Sequence, residues 1–389
     1  MGVVDNAIVI GGGIGGLSAA IGLRLAGLRV AVVERAPEFT AIGAGITLWP
    51  NAVHALGALG LGDRLAPLLA PQQSGGVHDA KGRPIIRFDG AAFERRFGSP
   101  LVGIRRADLI ALLCDALPPG ALRPGTEVET VSSDGTVTFR DGRSEHADVV
   151  VGADGINSRV RATLWPSCSG TVHGGFTAFR ALTHDRPDVG LGICWGPGTE
   201  FGTIPLAGGA RYWFASFVAE EGTHHADPKG HVLRRLAGWP DVVRSLVADT
   251  DPGAVLHHDL RVHRRQLPTY VAGRVALLGD AAHAMKPFLG QGGCQAIEDA
   301  VVLAACVAGH ADTGPALAAY DAARRPRTQA LVRASAAAGR FGNGVRNPLL
   351  AALRNGLLRW LPAPVALRQN AFAAGWRPPA ITPGRPRTP

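Results

Sequence analysis

Gly11, Gly13 and Gly16 form a Gly-x-Gly-x-x-Gly run, with Ile14 and Gly15 inside it, between the apolar stretch Ala7–Ile10 and a helical stretch from Ile14 to Ala26. In that setting the first glycine permits a tight turn. The second lets backbone N–H groups approach a pyrophosphate, and the third lets helix and strand pack closely. The helix N-terminus then faces the anion. Eighteen residues after Gly16, Glu34 ends the next apolar run, Arg29–Val33, and is followed by Arg35. A carboxylate at that strand end accepts hydrogen bonds from an adenosine ribose. The unit therefore reads as a dinucleotide site, and alone it does not separate a nicotinamide from a flavin.

Two later segments make that distinction. Val149-Val150-Val151-Gly152-Ala153-Asp154-Gly155-Ile156-Asn157-Ser158-Arg159-Val160-Arg161 runs from an apolar strand into an Asp-Gly turn and a short helix. Gly273-Arg274-Val275-Ala276-Leu277-Leu278-Gly279-Asp280-Ala281-Ala282-His283 repeats the pattern. It is followed by Pro287, Phe288 and Gly290-Gln291-Gly292-Gly293, which open a helix containing Glu298 and Asp299. In this order and spacing the three motifs resemble the class A, single-component FAD-dependent monooxygenases of the p-hydroxybenzoate and salicylate hydroxylase type. The region after Gly279-Asp280 is similar to that of urate hydroxylases and zeaxanthin epoxidases. The resemblance runs from about residue 5 to residue 330.

The resemblance implies bound FAD held by Gly11, Gly13, Ile14, Gly15, Gly16, Glu34, Arg35, Arg106, Asp154, Asp280, Gly292 and Gly293. Asp280 would accept hydrogen bonds from the ribityl hydroxyls, and Arg106 would contact the cofactor. Asp154 would organise both FAD and a passing nicotinamide; as readings of the residues alone, Asp154 and Arg161 also fit a structural turn and salt bridge. No second Rossmann fingerprint is present, which fits NADH or NADPH used as a transient co-substrate. Pro287, Gly290, Gln291 and Gly292 would position the flavin, with backbone N–H groups aimed at the charge on its reduced ring. The implied reaction uses NAD(P)H and O2 to pass one oxygen atom, through a flavin C4a-hydroperoxide, to a small molecule by hydroxylation or epoxidation.

Arg180, Tyr212 and Phe288 are the candidate substrate-pocket residues, with Glu200, Trp213 and Phe214 nearby in the same β-rich stretch. The aromatics among them fit a core equally well. Strand alternation puts Tyr212 and Phe214 on one face and Trp213 on the other. Phe288 stands where urate hydroxylases carry an Asp, so an apolar aromatic or polyene substrate is expected in place of urate. Another flavoenzyme of the same fold, a reductase or halogenase, remains an alternative, as does a non-catalytic flavin-binding regulator.

The elements that must position these residues follow from periodicity. The chain opens with a βαβ unit; a helix starts near Pro50, and another follows Arg106 with Leu109, Leu112, Leu113 and Leu117 on one face. Residues 73–97 read as short strands with turns. From 171 to 265 strand-like runs dominate: Phe176–Leu182, Leu191–Trp195, Phe201–Leu206, Tyr212–Val218 and Val255–Val262. The fold class is α/β, with a Rossmann-type FAD-binding domain (1–72, 98–170, 266–345) interleaved with a β-sheet-rich substrate domain (73–97, 171–265). C-terminal helices (346–376) and a disordered Pro/Arg-rich tail (377–389) complete it.

Composition excludes several classes. Of 389 residues 46% are hydrophobic, enough for a large core, and the 52 glycines and 28 prolines are aperiodic. The net charge of +9 is carried by scattered arginine pairs with no long basic run, which favours anionic cofactors or substrates over nucleic acid. Five widely spaced cysteines fit a reducing cytoplasm. The histidine pairs 224–225 and 257–258 lack a third metal ligand at suitable spacing. No signal peptide or transmembrane stretch is read, so a soluble cytoplasmic protein is expected. Leu349, Leu350, Leu353, Leu357 and Leu361, with Arg354 and Arg359, make an amphipathic pattern that fits a membrane surface, with packing against the FAD domain the favoured reading.

Overall fold

The structure, a computed structural model, describes residues 4–39, 43–183, 191–360, 365 and 370–382. A six-stranded sheet places side by side Val271–Ala272, Val275–Leu277, Val149–Gly152, Asn6–Ile10, Arg29–Val33 and Leu122–Arg123. All neighbours are parallel except the first pair. Val149, Val150 and Val151 are fully buried, as expected of a strand covered on both faces. Helix Ile14–Leu25 packs along helix Gly292–Gly309 through small residues. A Cβ on Gly15 would lie 3.0 Å from that of Ala296, and one on Gly22 2.9 Å from that of Ala304. Gly292–Gly309 is the one helix among the described residues long and apolar enough to cross a membrane, and two-thirds of it is buried in this core.

A second sheet has seven strands in the order Leu256–His263, Thr171–Thr183, Arg211–Val218, Thr199–Pro205, Ile193–Gly196, Gly76–Asp79 and Pro84–Arg87. Strands from residues 73–97 thus join those from 171–265, with one parallel pairing, Ile193–Gly196 against Gly76–Asp79. One face carries Phe179, Phe201, Trp213 and Phe217, packed under helices Pro228–Arg235 and Asp241–Ala248 through Val232, Leu236 and Val243. Trp213 donates to the Thr250 hydroxyl at 2.8 Å there, so it belongs to this core and not to the substrate side. The opposite face meets a small antiparallel sheet containing strands Gly45–Leu48 and Val102–Arg105, and the segment around Phe288. Tyr212 sits against Gly45, Ile204 against Gly103, and Phe176 against Phe288.

Some local readings differ from the sequence expectation. Residues 90–97 are a helix, Gly90–Phe97, capped by Asp89, whose carboxylate accepts from the Ala92 N–H at 2.9 Å. Helices Pro228–Arg235 and Asp241–Ala248 fall inside the stretch where strands were expected to dominate. The C-terminal region contains helices Pro348–Arg359 and Ala371–Ala374. Of the expected disordered tail, 383–389 lie outside the described residues, as does Leu361.

Candidate functional site

Three motifs that are far apart in sequence emerge side by side. Ile10 pairs with Gly152, and Gly152 with Leu277, so the Gly11 turn, the Asp154 turn and the Gly279-Asp280 turn all leave the carboxyl ends of adjacent parallel strands. In open α/β sheets that edge is where ligands bind. Gly11 has φ +110°, and a Cβ on it would lie 2.4 Å from the Ala153 carbonyl oxygen; one on Gly16 would lie 2.0 Å from the Gly11 oxygen. A Cβ on Gly13 would meet nothing within 4 Å. Its open side is the space a pyrophosphate needs. Gly16→Ala is therefore expected to yield unstable protein. Gly13→Ala is expected to fold with an unchanged melting temperature for the apoprotein but lose roughly tenfold or more in FAD affinity, read by flavin fluorescence titration.

Glu34 is fixed by the backbone: it accepts from the Gly12 N–H at 2.7 Å and from the Ala36 N–H at 2.9 Å. Its place at the end of strand Arg29–Val33 is the one the ribose reading requires, with Arg35 exposed beside it. Ile14 is buried at the start of the loop's helix.

Several buried polar atoms have no partner among the described residues: Asp154 Oδ1, Arg106 Nε, Asn51 Oδ1 and Gln291 Nε2. The other Asp154 oxygen caps helix Arg159–Leu164 by accepting from the Arg159 and Val160 N–H groups at 2.7 and 3.1 Å. Burial pushes the Asp154 carboxyl up. Burial also lowers Arg106, whose guanidinium feels the charges of Asp280 and Arg180 and the Tyr212 phenol. Buried polar atoms are ordinarily paired, so these four are groups that a ligand at this edge could satisfy. Gly292 has nothing nearer than 3.9 Å to an added Cβ, and Gly290 turns at φ +62° just after the exposed Pro287. The glycine cradle and the unpaired donors and acceptors fit an FAD.

Arg161 has a different job. It is 2% exposed and donates only to carbonyls: Ala281 and Ala282 at 3.1 Å, Cys168 at 3.0 Å and Arg265 at 2.6 Å. It bolts the Asp154 turn to the short helix Asp280–His283.

Behind the cofactor edge lies a buried ionic network. Asp299 accepts from the Gly279 N–H at 3.0 Å, pairs with His283 at 2.6 Å and with Arg324 at 2.6 Å. Glu298 pairs with Arg324 at 2.6 Å and Arg327 at 2.8 Å, and accepts from Asn51 at 2.6 Å. Asn51 and Gln295 both donate to Gln291. Burial pushes Asp299 up, but His283 and Arg324 outweigh it and hold the carboxyl well below the carboxylate range. The network thereby sets both the Gly279 turn and the Gln291 side chain.

On the second sheet, directly opposed residues share a face. Leu182, Tyr212 and Ile204 form one row, Arg180, Phe214 and Gly202 the next, and Ala178, Ser216, Glu200 and Trp195 a third. The Phe214 ring lies over Gly202, where a Cβ would sit 2.1 Å from it. Phe288 makes an edge contact with Phe176 at 4.9 Å and lies against Gly339. Glu200 is 6% exposed and accepts from the Trp195 indole N–H at 2.8 Å; burial pushes it up to about 7.

The family described as FAD binding domain matches residues 5–335. The chain belongs to the class A FAD-dependent monooxygenases. An aurachin C monooxygenase/isomerase of Stigmatella aurantiaca is 38% identical to it over 348 residues, covering 86% of this chain and 89% of the relative. An FAD-dependent urate hydroxylase of Klebsiella pneumoniae is 34% identical, covering 84% and 88%. The crystal structure of Klebsiella pneumoniae HpxO complexed with FAD and uric acid superimposes with a TM-score of 0.88 at 30% identity, over 95% of this chain and 97% of that one. A salicylate hydroxylase substrate complex gives 0.73 at 26% identity, over 97% and 99%.

The monooxygenase therefore uses FAD, and its fold is the expected α/β one with a C-terminal helical region. Sequence motifs reached the residues around the phosphate loop and the Gly279 turn. They missed Asn51, Arg324 and Arg327, which no local motif marks: Asn51 joins the network from helix Pro50–Ala58, and both arginines join it from helix Thr313–Phe341.

Proposed function

We propose that the monooxygenase is reduced by NADH or NADPH and uses O2 to oxygenate a largely apolar, aromatic or polyene small molecule, lodged between the flavin edge and the Arg180 face of the second sheet. The observation that carries this reading is Phe288: placed just after Pro287, it rests on Phe176 and Gly339 and presents hydrocarbon. FAD, when bound, supplies the electron transfer and oxygen activation. The chain's own residues would do the rest. Gly11, Gly13 and Gly16 take the pyrophosphate, Glu34 the ribose, and Asp280 and Arg106 the rest of the cofactor. Pro287, Gly290, Gln291, Gly292 and Gly293 hold its ring. Arg180 offers a cation to an anionic or phenolic substituent, with Tyr212 and Phe214 beside it.

Relatives support an electron-rich ring: 3-amino-4-hydroxybenzoate 2-monooxygenases of Streptomyces platensis are 38% and 37% identical to this chain. Sheet membership supports the division into an FAD-binding domain (1–72, 98–170, 266–345) and a substrate domain (73–97, 171–265). Five free cysteines accord with a reducing cytoplasm.

The test is to purify the flavoprotein and screen phenols, quinolones and polyenes for stimulated NAD(P)H oxidation, with labelled O2 traced into product. A stoichiometric product heavier by one oxygen atom supports the reading; oxidation of NAD(P)H that never yields one, across all three classes, counts against it. With the substrate found, Phe288→Asp is expected to lower kcat/KM by about tenfold to a hundredfold, since it exchanges apolar contact for a carboxylate that must be desolvated. Improved turnover would refute the apolar pocket.

A further inference from the structure

Helix Pro348–Arg359 is buried on one side only. Ala351, Arg354 and Asn355 face the protein; the Arg354 guanidinium stacks 4.9 Å over Trp195 and donates to the Phe341 carbonyl at 3.0 Å. The opposite side is apolar and bare. Leu349 is 80% exposed, Leu350 58%, Leu353 61%, Leu357 68% and the following Trp360 88%. At 100° per residue these five fall within one arc about 100° wide, so they form a continuous ridge and are not scattered. Packing against the FAD-binding domain, the reading the sequence favoured, does not take them up. Contiguous exposed apolar surface of this kind marks an interaction site.

The charge around the ridge says what covers it. Residues 322–389 hold twelve arginines and no lysine, aspartate or glutamate. Arg324, Arg325, Arg327 and Arg359 pair with acids of the fold and Arg354 is buried, while Arg333, Arg340, Arg346 and Arg377 are exposed without an acidic partner among the described residues. Arg340 and Arg346 flank the ridge, exposed, and engage no acid among the described residues. The ridge ends in the indole of Trp360. Leucines projecting between arginines, with tryptophan at the margin, match a bilayer interface.

We propose that this helix docks the monooxygenase peripherally on an anionic lipid surface, with Leu349, Leu350, Leu353, Leu357 and Trp360 entering the acyl boundary and the C-terminal arginines meeting the headgroups. Docking does not depend on what the site oxidises, so its failure and that of the functional reading are separate. The experiment is cosedimentation of the full-length FAD-loaded protein with phosphatidylglycerol/phosphatidylcholine vesicles and with pure phosphatidylcholine vesicles, at low and high salt. Binding at least about tenfold tighter to the anionic vesicles is expected, weakened by salt. Leu353→Asp/Leu357→Asp should abolish it while keeping the flavin spectrum and melting temperature, because both positions are solvent-exposed. Equal binding to both vesicle types, or binding unchanged in the double variant, would overturn the proposal. So would absence of vesicle binding together with a dimer that the double variant dissociates, which would make a second copy the occupant.

Discussion

Arg324→Met is expected to destabilise the monooxygenase by about 3–5 kcal/mol and to strip it of FAD. The arginine is 1% exposed and serves Asp299 and Glu298 together, besides the Gln295 side chain at 2.7 Å. Methionine fills much of the volume but leaves two carboxylates in a region that water does not reach. Removing one partner of a buried ionic cluster has that cost, whatever the net worth of the intact cluster. The effect reaches the cofactor through two atoms. Asp299 orients the Gly279 N–H, and Glu298 holds Asn51, which holds Gln291. Denaturant unfolding and the flavin-to-protein absorbance ratio together check this. A variant of normal stability and full flavin content would show that the network is not what shapes the site.

Glu200→Gln is expected to stabilise the protein at alkaline pH and to leave it nearly unchanged at acid pH. With its carboxyl pushed up to about 7 by burial, against an ordinary value near 4.5, Glu200 favours the protonated form in the fold. A raised folded-state value means that its contribution is fully present below about pH 4.5 and is lost as pH rises through about 7. The difference amounts to about 3 kcal/mol at pH 8.5, where burying the ion is uncompensated except by the Trp195 N–H. Glutamine keeps that acceptor without the charge. Melting curves of both proteins at pH 5 and pH 8.5 decide it: the gap between them should open only at the higher pH. Equal gaps would mean that Glu200 does not titrate near neutrality.

The cofactor edge was legible because its glycines are demanded by backbone geometry, and geometry of that kind leaves a mark in a short stretch of sequence. Gly11 and Gly16 cannot carry a Cβ without striking Ala153 or each other's loop. The Arg324 network left no such mark. Arg324 and Arg327 stand 25 to 29 residues, and Asn51 nearly 250, from the carboxylates they serve, and each alone reads as an ordinary polar helix residue. Tyr212 and Trp213 were separable by strand alternation, and the structure sends them to opposite faces. Helices Gly90–Phe97, Pro228–Arg235 and Asp241–Ala248 are eight residues each, too short to show more than two turns of periodicity. Asp89 and Asp227 cap two of them, accepting from the Ala92 and Gly230 N–H groups at 2.9 and 2.8 Å, a signal that the periodicity reading passed over.

The register that aligns the three turns also orders events in the life of the chain. Ala7 pairs with Val149 and Val150 with Val275, so the strands that frame the flavin edge are separated by about 140 and 125 residues of intervening chain. Closing such long loops costs entropy before any contact repays it, which makes assembly of this sheet slow relative to its helices. The phosphate loop's strand pairs early with Arg29–Val33, but the Asp154 turn joins it only after about 140 further residues and the Gly279 turn only after about 265. A cofactor that touches all three turns is therefore expected to bind after the sheet has closed, as a clamp on it and not as a nucleus for its folding.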